Sequence, residues 1–485
     1  MKQEINTAKI NRYINLVLVA IICLVLFFCY YGYPLFTDDS ECFLPTAFAI
    51  KKGLGLYNPF YDAGFIPNNK FSFYPPLFPL IVSAFMYSTT AEALYLSVTI
   101  INLLSVVCSV FVLKFFIKKY SSSFKNTSAI IVFSILWIFA NCSFILTGNA
   151  RPEIVCRLLM YLVILLALYQ GRFNYFFAGC ICVAGCITSP AFGIYLMLIA
   201  LQYILFKGLY KAVFPAVVGG VFVLVLFLWL YPYTISELIQ TMHTHSERVV
   251  FVSHDPFTLA GFYTYHVFAY NASFGIALFA VSVMIVVKKI NKVQNRLNKF
   301  LIAILFCMHM GLILYITVRN LPMAYYIYVL SPLMLFVVAE DFFSISPKTI
   351  LNWHIMLAFL VSFSFIRLTF AFVANAGQKG YLLTDVQGQM TKYRSMTGVR
   401  IGVSSSMWVF FGEDVLCKPD IYRGENAKNF DYLILQQYAT GQLTPEQING
   451  FEIVENHFAS NLSLPARIAG SKYPPFYQYA VYKRK

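Results

Sequence analysis

The chain has 485 residues, of which 59% are hydrophobic and only 12% are charged, and its mean hydropathy is +0.68. Soluble domains carry about 25% charged residues, so this composition excludes an ordinary soluble protein and predicts a polytopic α-helical membrane protein. The net charge of +15 does not indicate nucleic-acid binding, because most Lys and Arg residues lie between apolar segments.

The first apolar run, 14–33, follows Lys2, Lys9 and Arg12. It lacks the short apolar region and the cleavage site of a signal peptide, so it is predicted to be a retained span with its amino end in the cytoplasm. A span needs about 20 apolar residues. The sequence contains about eleven apolar runs of roughly this length, which are predicted to be transmembrane helices. They are 14–33, 93–117, 127–147, 152–170, 173–188, 190–206, 212–232, 270–288, 299–318, 322–342 and 351–374.

Charge predicts which side each loop occupies. Lys and Arg are concentrated at the ends that this arrangement places in the cytoplasm, as at 114–125 and 288–299. Two long loops, 34–92 and 233–269, then lie outside the cytoplasm. The apolar stretches that meet at Thr188-Ser189-Pro190 are predicted to form a tight hairpin, with one kinked span as the alternative.

Residues 1–375 are thus predicted to form the transmembrane catalytic domain. In the loop 34–92, two short helices are expected at the membrane interface. The first is an amphipathic helix from Asp39 to Lys52, interrupted by Pro45 and closed by Gly53. The second begins in the run Tyr74-Pro-Pro-Leu-Phe-Pro-Leu and ends near Tyr87.

After about residue 375 the composition becomes polar, which predicts a small α/β domain over 376–485, outside the cytoplasm. Its expected strands combine alternating apolar residues with β-branched and aromatic side chains. They are 399–403, 430–435, 451–454 and 477–482.

Three carboxylates, Asp38, Asp39 and Glu41, lie at the outer end of the first span. Carboxylates this close to hydrocarbon are costly to keep ionised unless a cation or a reaction uses them. Helix capping explains one or two of them, but not two adjacent Asp residues at an apolar boundary. We therefore predict a catalytic loop, in which one carboxylate is a general base and a neighbour binds a divalent cation or orients the base.

These residues resemble the start of the GT-C superfamily of membrane glycosyltransferases, in particular its protein mannosyltransferase-like and aminoarabinose transferase-like branch. The similarity covers about residues 14–345. It rests on the acidic pair, the run Ala47 to Tyr57 with Gly53 and Gly55, the run 74–80, Ala150-Arg151-Pro152-Glu153, and Arg319 followed by Tyr325, Tyr326 and Pro332.

The resemblance implies that a sugar is transferred, with inversion, from a polyprenyl-phosphate carrier to a lipid, glycan or protein acceptor on the outer face. It implies that Asp38 is the base and Asp39 its partner, with Glu41 in support. Pro45 departs from the family pattern. Any metal would be a divalent cation such as Mg²⁺ or Mn²⁺ on Asp38 and Asp39. The Lys, Asn and Ile content favours a bacterial inner membrane over the endoplasmic reticulum.

A departing lipid phosphate needs a nearby cation. Arg319 is the first candidate, and a purely interfacial Arg is the alternative. In the loop 233–269, His243, His245 and Arg248 are predicted to reach phosphate, and a zinc site is the less favoured interpretation.

Arg151 and Glu153, with Arg157, are predicted to form a buried ion pair at the outer end of a span or to contact substrate. Tyr74 is predicted to have a structural role or to contact substrate. The alternative function is a transporter or lipid flippase. Transporters place ionisable groups near the midplane, whereas here the acids lie at one face, which favours the enzyme.

Overall fold

The described part of the chain is mostly helical. The computed structural model describes residues 43–58, 70–71, 74–120, 150–248, 283–319, 383–404, 407–411, 427–436, 449–458 and 478–485, with isolated positions at 12–27, 134, 137, 333 and 337. The helices are α1 (Leu44–Lys51), α2 (Leu77–Phe85), α3 (Ala91–Tyr120), α4 (Glu153–Tyr169), α5 (Arg172–Thr188), α6 (Pro190–Lys207), α7 (Val213–Leu230), α8 (Ile235–Arg248), α9 (Arg296–Arg319) and α10 (Leu383–Arg394).

Six helices coincide, within a few residues, with predicted spans: α3 to α7 and α9. Within the described residues, three stretches are long and apolar enough to cross a membrane, namely Ala91–Lys119, Pro190–Lys207 and Tyr210–Leu230. The helical character is therefore confirmed for this part, and these three stretches indicate membrane association by their length and composition. The described residues do not support a count of about eleven spans. The predicted spans 14–33, 127–147, 270–288, 322–342 and 351–374 lie wholly or largely outside the described residues.

The predicted hairpin at Ser189 is confirmed, and the kinked-span alternative is wrong. Ser189 has an extended backbone, with φ −154° and ψ 110°, between the last residue of α5 and Pro190, the first of α6. The two helices then pack side by side. A Cβ atom built on Gly193 would lie 2.3 Å from the backbone nitrogen of Cys186, so only glycine fits there.

Helices α5 and α7 cross at backbone contact. A Cβ atom on Gly179 would lie 1.8 Å from the carbonyl oxygen of Ala216, and one on Gly219 would lie 2.0 Å from that of Phe176. The Cys180 thiol donates a hydrogen bond of 3.3 Å to the Gly219 carbonyl. Small residues thus hold this pair together, as is common between membrane helices, where close packing replaces the hydrophobic effect.

The contacts sort the helix ends into two groups. One end carries the ring pair Phe115–Tyr169, with centroids 4.5 Å apart, and the Lys289 ammonium 5.3 Å from the Phe206 ring. At the same end, the Asn298 amide donates a hydrogen bond to the Tyr210 hydroxyl. This is the lysine-rich end, which holds Lys118, Lys119, Arg172, Lys207, Lys211, Lys288, Lys289, Lys292, Arg296 and Lys299. The opposite end carries the first-loop helices.

The four predicted strands of the tail are confirmed. They are β1 (Ile401–Val403), β2 (Tyr432–Gln436), β3 (Phe451–Asn456) and β4 (Tyr479–Arg484). They form one sheet in the order β1-β2-β4-β3. Strands β1 and β2 are parallel, and β4 is antiparallel to both β2 and β3.

The first helix of the loop 34–92 differs from its prediction. Helix α1 begins at Leu44, so Pro45 lies in the first turn, where its missing N–H has no intrahelical partner to lose. Residues 44–49 are all buried. The helix therefore has no exposed polar face over these residues and is not amphipathic. Gly53 and Gly55, at φ +81° and +73°, close it as predicted. Helix α2 ends at Phe85, near the predicted Tyr87.

Replacing Gly179 with Leu is expected to destabilise the α5–α7 crossing by about 1–3 kcal/mol, because backbone atoms must move apart. The measurement is the apparent melting temperature of the detergent-purified protein. Gly311→Leu is the matched control, since a Cβ on Gly311 of α9 meets nothing within 4 Å. Equal melting temperatures for the two variants would contradict the crossing.

Candidate functional site

The predicted catalytic acids Asp38, Asp39 and Glu41 lie outside the described residues. The first described residue after them is Phe43, which is 5% exposed. Its ring packs edge-on against Tyr74, with centroids 5.0 Å apart, and against Phe78 at 6.0 Å. The carboxyl end of the acidic stretch is therefore attached to a buried aromatic cluster.

Tyr74 connects this cluster to the α5–α6 hairpin. Its hydroxyl donates a hydrogen bond of 3.1 Å to the Ser189 Oγ atom, and Ser189 is fully buried. The hairpin turn and the loop 34–92 therefore lie at the same end of the helix bundle. Ser189 has no distinguishing sequence pattern, so only the structure identifies this contact.

Arg151 and Glu153 form an ion pair at the start of α4. The Arg151 Nε and Glu153 Oε2 atoms are 3.3 Å apart, and the side chains are 17% and 4% exposed. Glu153 is in the first helical turn, where a carboxylate favourably faces the helix dipole. A buried pair of this kind fixes the position of the helix end, because removing either partner leaves a buried charge.

Arg157, one turn further along α4, donates a hydrogen bond of 3.0 Å from Nη2 to the Asn102 Oδ1 atom of α3. Both residues are at most 2% exposed. Asn102 was not predicted. The signal for it is the polar series Thr99, Asn102 and Ser105, whose spacing of three places these residues on one buried helix face.

Helix α8 is joined to the loop 34–92 by a half-exposed ion pair. The Lys70 Nζ and Glu237 Oε1 atoms are 3.2 Å apart, and Lys70 also lies 5.2 Å from the Tyr233 ring centroid. The Tyr233 hydroxyl donates a hydrogen bond to the Leu56 carbonyl. These contacts bring the start of the predicted loop 233–269 against the loop 34–92.

A capping box holds Glu237 in position. The Thr234 N–H donates to Glu237 Oε2 at 3.0 Å, and the Glu237 N–H donates to the Thr234 Oγ1 atom at 3.1 Å. The backbone hydrogen bond from Thr234, followed by that from Lys70, lowers the pKa of Glu237. The sequence Thr-Ile-Ser-Glu is the recognised signature of such a cap, so it could have predicted this helix start.

The other predicted cations are dispersed over two helix ends. His243 is exposed on α8, and His245 and Arg248 belong to its last turn, although their side chains lie outside the described residues. Arg319 is the last residue of α9, and its side chain is likewise outside. Within the described residues no group of three His, Cys, Asp or Glu side chains is placed to hold a metal ion.

A cavity of about 360 Å³ lies between α4, α5, α6 and α7. Its walls are almost entirely apolar, and it occupies the half of the bundle nearer the lysine-rich end. Such a cavity accepts hydrocarbon but offers nothing to hold a charged group. Its lining includes Val163, Tyr175, Cys182, Tyr203, Ala216 and Leu224.

No family model, curated protein or solved structure matches this chain. The functional argument therefore rests on the residues and their contacts.

Replacing Glu237 with Gln is expected to loosen the contact between the loop 34–92 and α8 and to make tryptic cleavage after Lys70 several times faster. Glu92→Gln, which removes an exposed carboxylate at the start of α3, is the control and should leave this rate unchanged. The measurement is the rate of appearance of the peptide ending at Lys70, in detergent-purified protein.

The pH dependence follows from the lowered pKa of Glu237. The contribution of a carboxylate with a lowered pKa is fully present above the unfolded pKa, and it is lost as the pH falls through the folded pKa. We therefore expect the ratio of the Glu237→Gln rate to the wild-type rate to be the same at pH 6 and pH 8. A ratio that falls towards one at pH 6 would attribute the contact to another titrating group.

Proposed function

We propose that the protein is a membrane glycosyltransferase that moves a sugar from a polyprenyl-phosphate carrier to a lipid, glycan or protein acceptor, with inversion. The observation that carries the proposal is the convergence of separate segments on one end of the helix bundle. Phe43, which follows the acidic stretch, is tied through Tyr74 to the α5–α6 hairpin. Loop 34–92 is joined there to α8, the start of the second long loop.

The proposed reaction needs a base, a cation and room for a lipid. Asp38 takes the proton of the acceptor hydroxyl as its oxygen forms a bond to the anomeric carbon. The bond from that carbon to the phosphate oxygen breaks, and its electron pair leaves with the lipid phosphate. Arg319, at the end of α9, is the proposed cation for this anion, with His243, His245 and Arg248 in support. Asp39 and Glu41 orient the base, or Asp39 shares a Mg²⁺ or Mn²⁺ ion with it.

The proposed orientation of the protein in the membrane follows from the position of its lysine-rich end. By the positive-inside rule this end faces the cytoplasm, as does the amino terminus, and the reaction then takes place outside, together with the tail domain. We further propose about eleven spans in a bacterial inner membrane. The apolar cavity between α4, α5, α6 and α7 offers space for hydrocarbon within the bundle. Because it lies nearer the lysine-rich end, it would hold the far end of the donor's lipid chain and not its phosphate.

A transporter or lipid flippase is the second candidate, and one observation favours it. His309 lies in the middle of α9, is 1% exposed, and its ring stacks on Tyr195 at 5.3 Å. Ionisable groups inside membrane helices commonly mark transport paths. If His309→Ala abolishes lipid or sugar translocation in vesicles while no donor supports transfer, the transporter interpretation replaces the enzyme.

The decisive variant for the enzyme is Asp38→Asn, which removes the base but retains the shape of the side chain. Loss of a general base is expected to lower the turnover number by about 10²–10⁴-fold. Transfer is measured in membranes, with radiolabelled polyprenyl-phosphate sugars and the host's own acceptors, after equalising the protein level.

Glu92→Gln is again the control, because it removes a carboxylate at the start of another helix without touching the acidic stretch. The control should retain full activity. If Asp38→Asn and Asp39→Asn are both as active as wild type, the acids take no part in the reaction and the proposal of a catalytic loop is wrong.

A further inference from the structure

The tail domain is not packed around a core of its own alone. Alternate residues of its sheet point to opposite faces. One face, with Leu433, Leu435 and Tyr482, forms a separate cluster with Phe430 and Phe451. The other face belongs to the same hydrophobic cluster as Phe43, α1 and α2. The residues on that second face are Ile401, Val403, Ile434, Tyr479 and Val481.

An aromatic pair joins the tail domain to helix α1. The ring of Trp408 meets that of Phe48 in α1 edge-on, with centroids 5.5 Å apart and an interplanar angle of 83°. Both rings are at most 2% exposed. Edge-to-face pairs of this kind contribute about 0.5–1.5 kcal/mol beyond the area that they bury.

Trp408 is presented on a rigid support. It begins a short 3₁₀ turn, Trp408–Phe410, and every residue from 407 to 411 is buried. Ser404, just after β1, ties this turn to the sheet: its N–H donates to the Ile434 carbonyl, and its Oγ atom accepts from the Gln436 N–H. The indole position is thus fixed by the sheet.

Helix α1, by contrast, depends on its neighbours. It has eight residues, and isolated helices shorter than about 12–15 residues are marginal in water. Helix α2 packs against it, and Trp408 packs against Phe48. Phe43, immediately before α1, is only two residues after Glu41. Any movement of α1 therefore moves the point at which the acidic stretch is attached.

We propose that Trp408 is a positioning residue, through which the tail domain holds α1 and, with it, the acidic stretch of the catalytic loop. This inference rests on the proposed function for its effect on turnover. The tail domain is then an integral part of the site and not an appendage. It acts by geometry, so it affects the chemical step and not the affinity for the donor.

The test compares Trp408→Ala, Trp408→Phe and Phe48→Ala with Phe430→Ala, the matched control. Phe430 is 3% exposed in the cluster on the other sheet face, so its loss weakens the domain without touching α1. For Trp408→Ala we expect kcat to fall about tenfold to a hundredfold, since small misplacements have costs of this order. KM for the donor should change less than about twofold, and Trp408→Phe should restore most of kcat.

The double variant Phe48→Ala/Trp408→Ala should be no worse than the single variants, because both break one contact. If Trp408→Ala and Phe430→Ala lose activity equally and in proportion to the folded fraction, Trp408 is merely structural and the inference is overturned. Phe48→Ala, made in α1 itself, retains the test if Trp408→Ala does not fold.

A second readout does not need transfer activity. Cys42 directly follows Glu41, and its labelling by a membrane-impermeant maleimide can be followed by mass spectrometry of its peptide. We expect faster labelling in Trp408→Ala and Phe48→Ala but not in Phe430→Ala. Unchanged labelling overturns the inference, even if the enzyme is active. Faster labelling in a protein that transfers no sugar supports the positioning contact and refutes the proposed function.

Discussion

The buried ring of Phe43 is the contact on which the first-loop end of the helix bundle depends. Three separate constraints meet at it: the end of the acidic stretch, the start of α1, and the Tyr74 ring that is hydrogen-bonded to the α5–α6 hairpin. Exposed ion pairs stabilise a loop only weakly, because water and salt screen them. Apolar side chains immediately beside the charges can therefore fix such a loop more firmly than ion pairs can.

Hydropathy predicted the membrane helices of the described region well, and the reason is physical. A backbone in hydrocarbon must satisfy its own hydrogen bonds, so an apolar run of sufficient length forms a helix. The bounds of α5 and α6 follow directly, with Pro190 marking the second helix start. The tail strands were likewise predictable, because alternating apolar and β-branched residues fit a sheet.

Helix α1 shows where this reasoning ends. Its residues are mostly apolar all around the helix. Such a sequence does not reveal which faces of the helix other elements will cover. The helix was predicted to start at Asp39, whereas α1 begins at Leu44 with Pro45 in its first turn. The Lys70–Glu237, Arg157–Asn102 and Phe48–Trp408 contacts join residues far apart in the chain, so only the fold can pair them.

One face of the tail sheet packs with the helices of loop 34–92, so the stability of the tail and the position of α1 depend on each other. A domain with one core of its own could move as a unit, whereas here one sheet face shares its cluster with α1 and α2. Opening that face would expose Trp408 and Phe48 together with the apolar residues around them, at a cost of about 25 cal/mol per Å² of apolar surface. The tail is therefore held against the loop 34–92 by the same burial that orders α1. The membrane helices, the loop and the sheet form one continuous packed unit at this end.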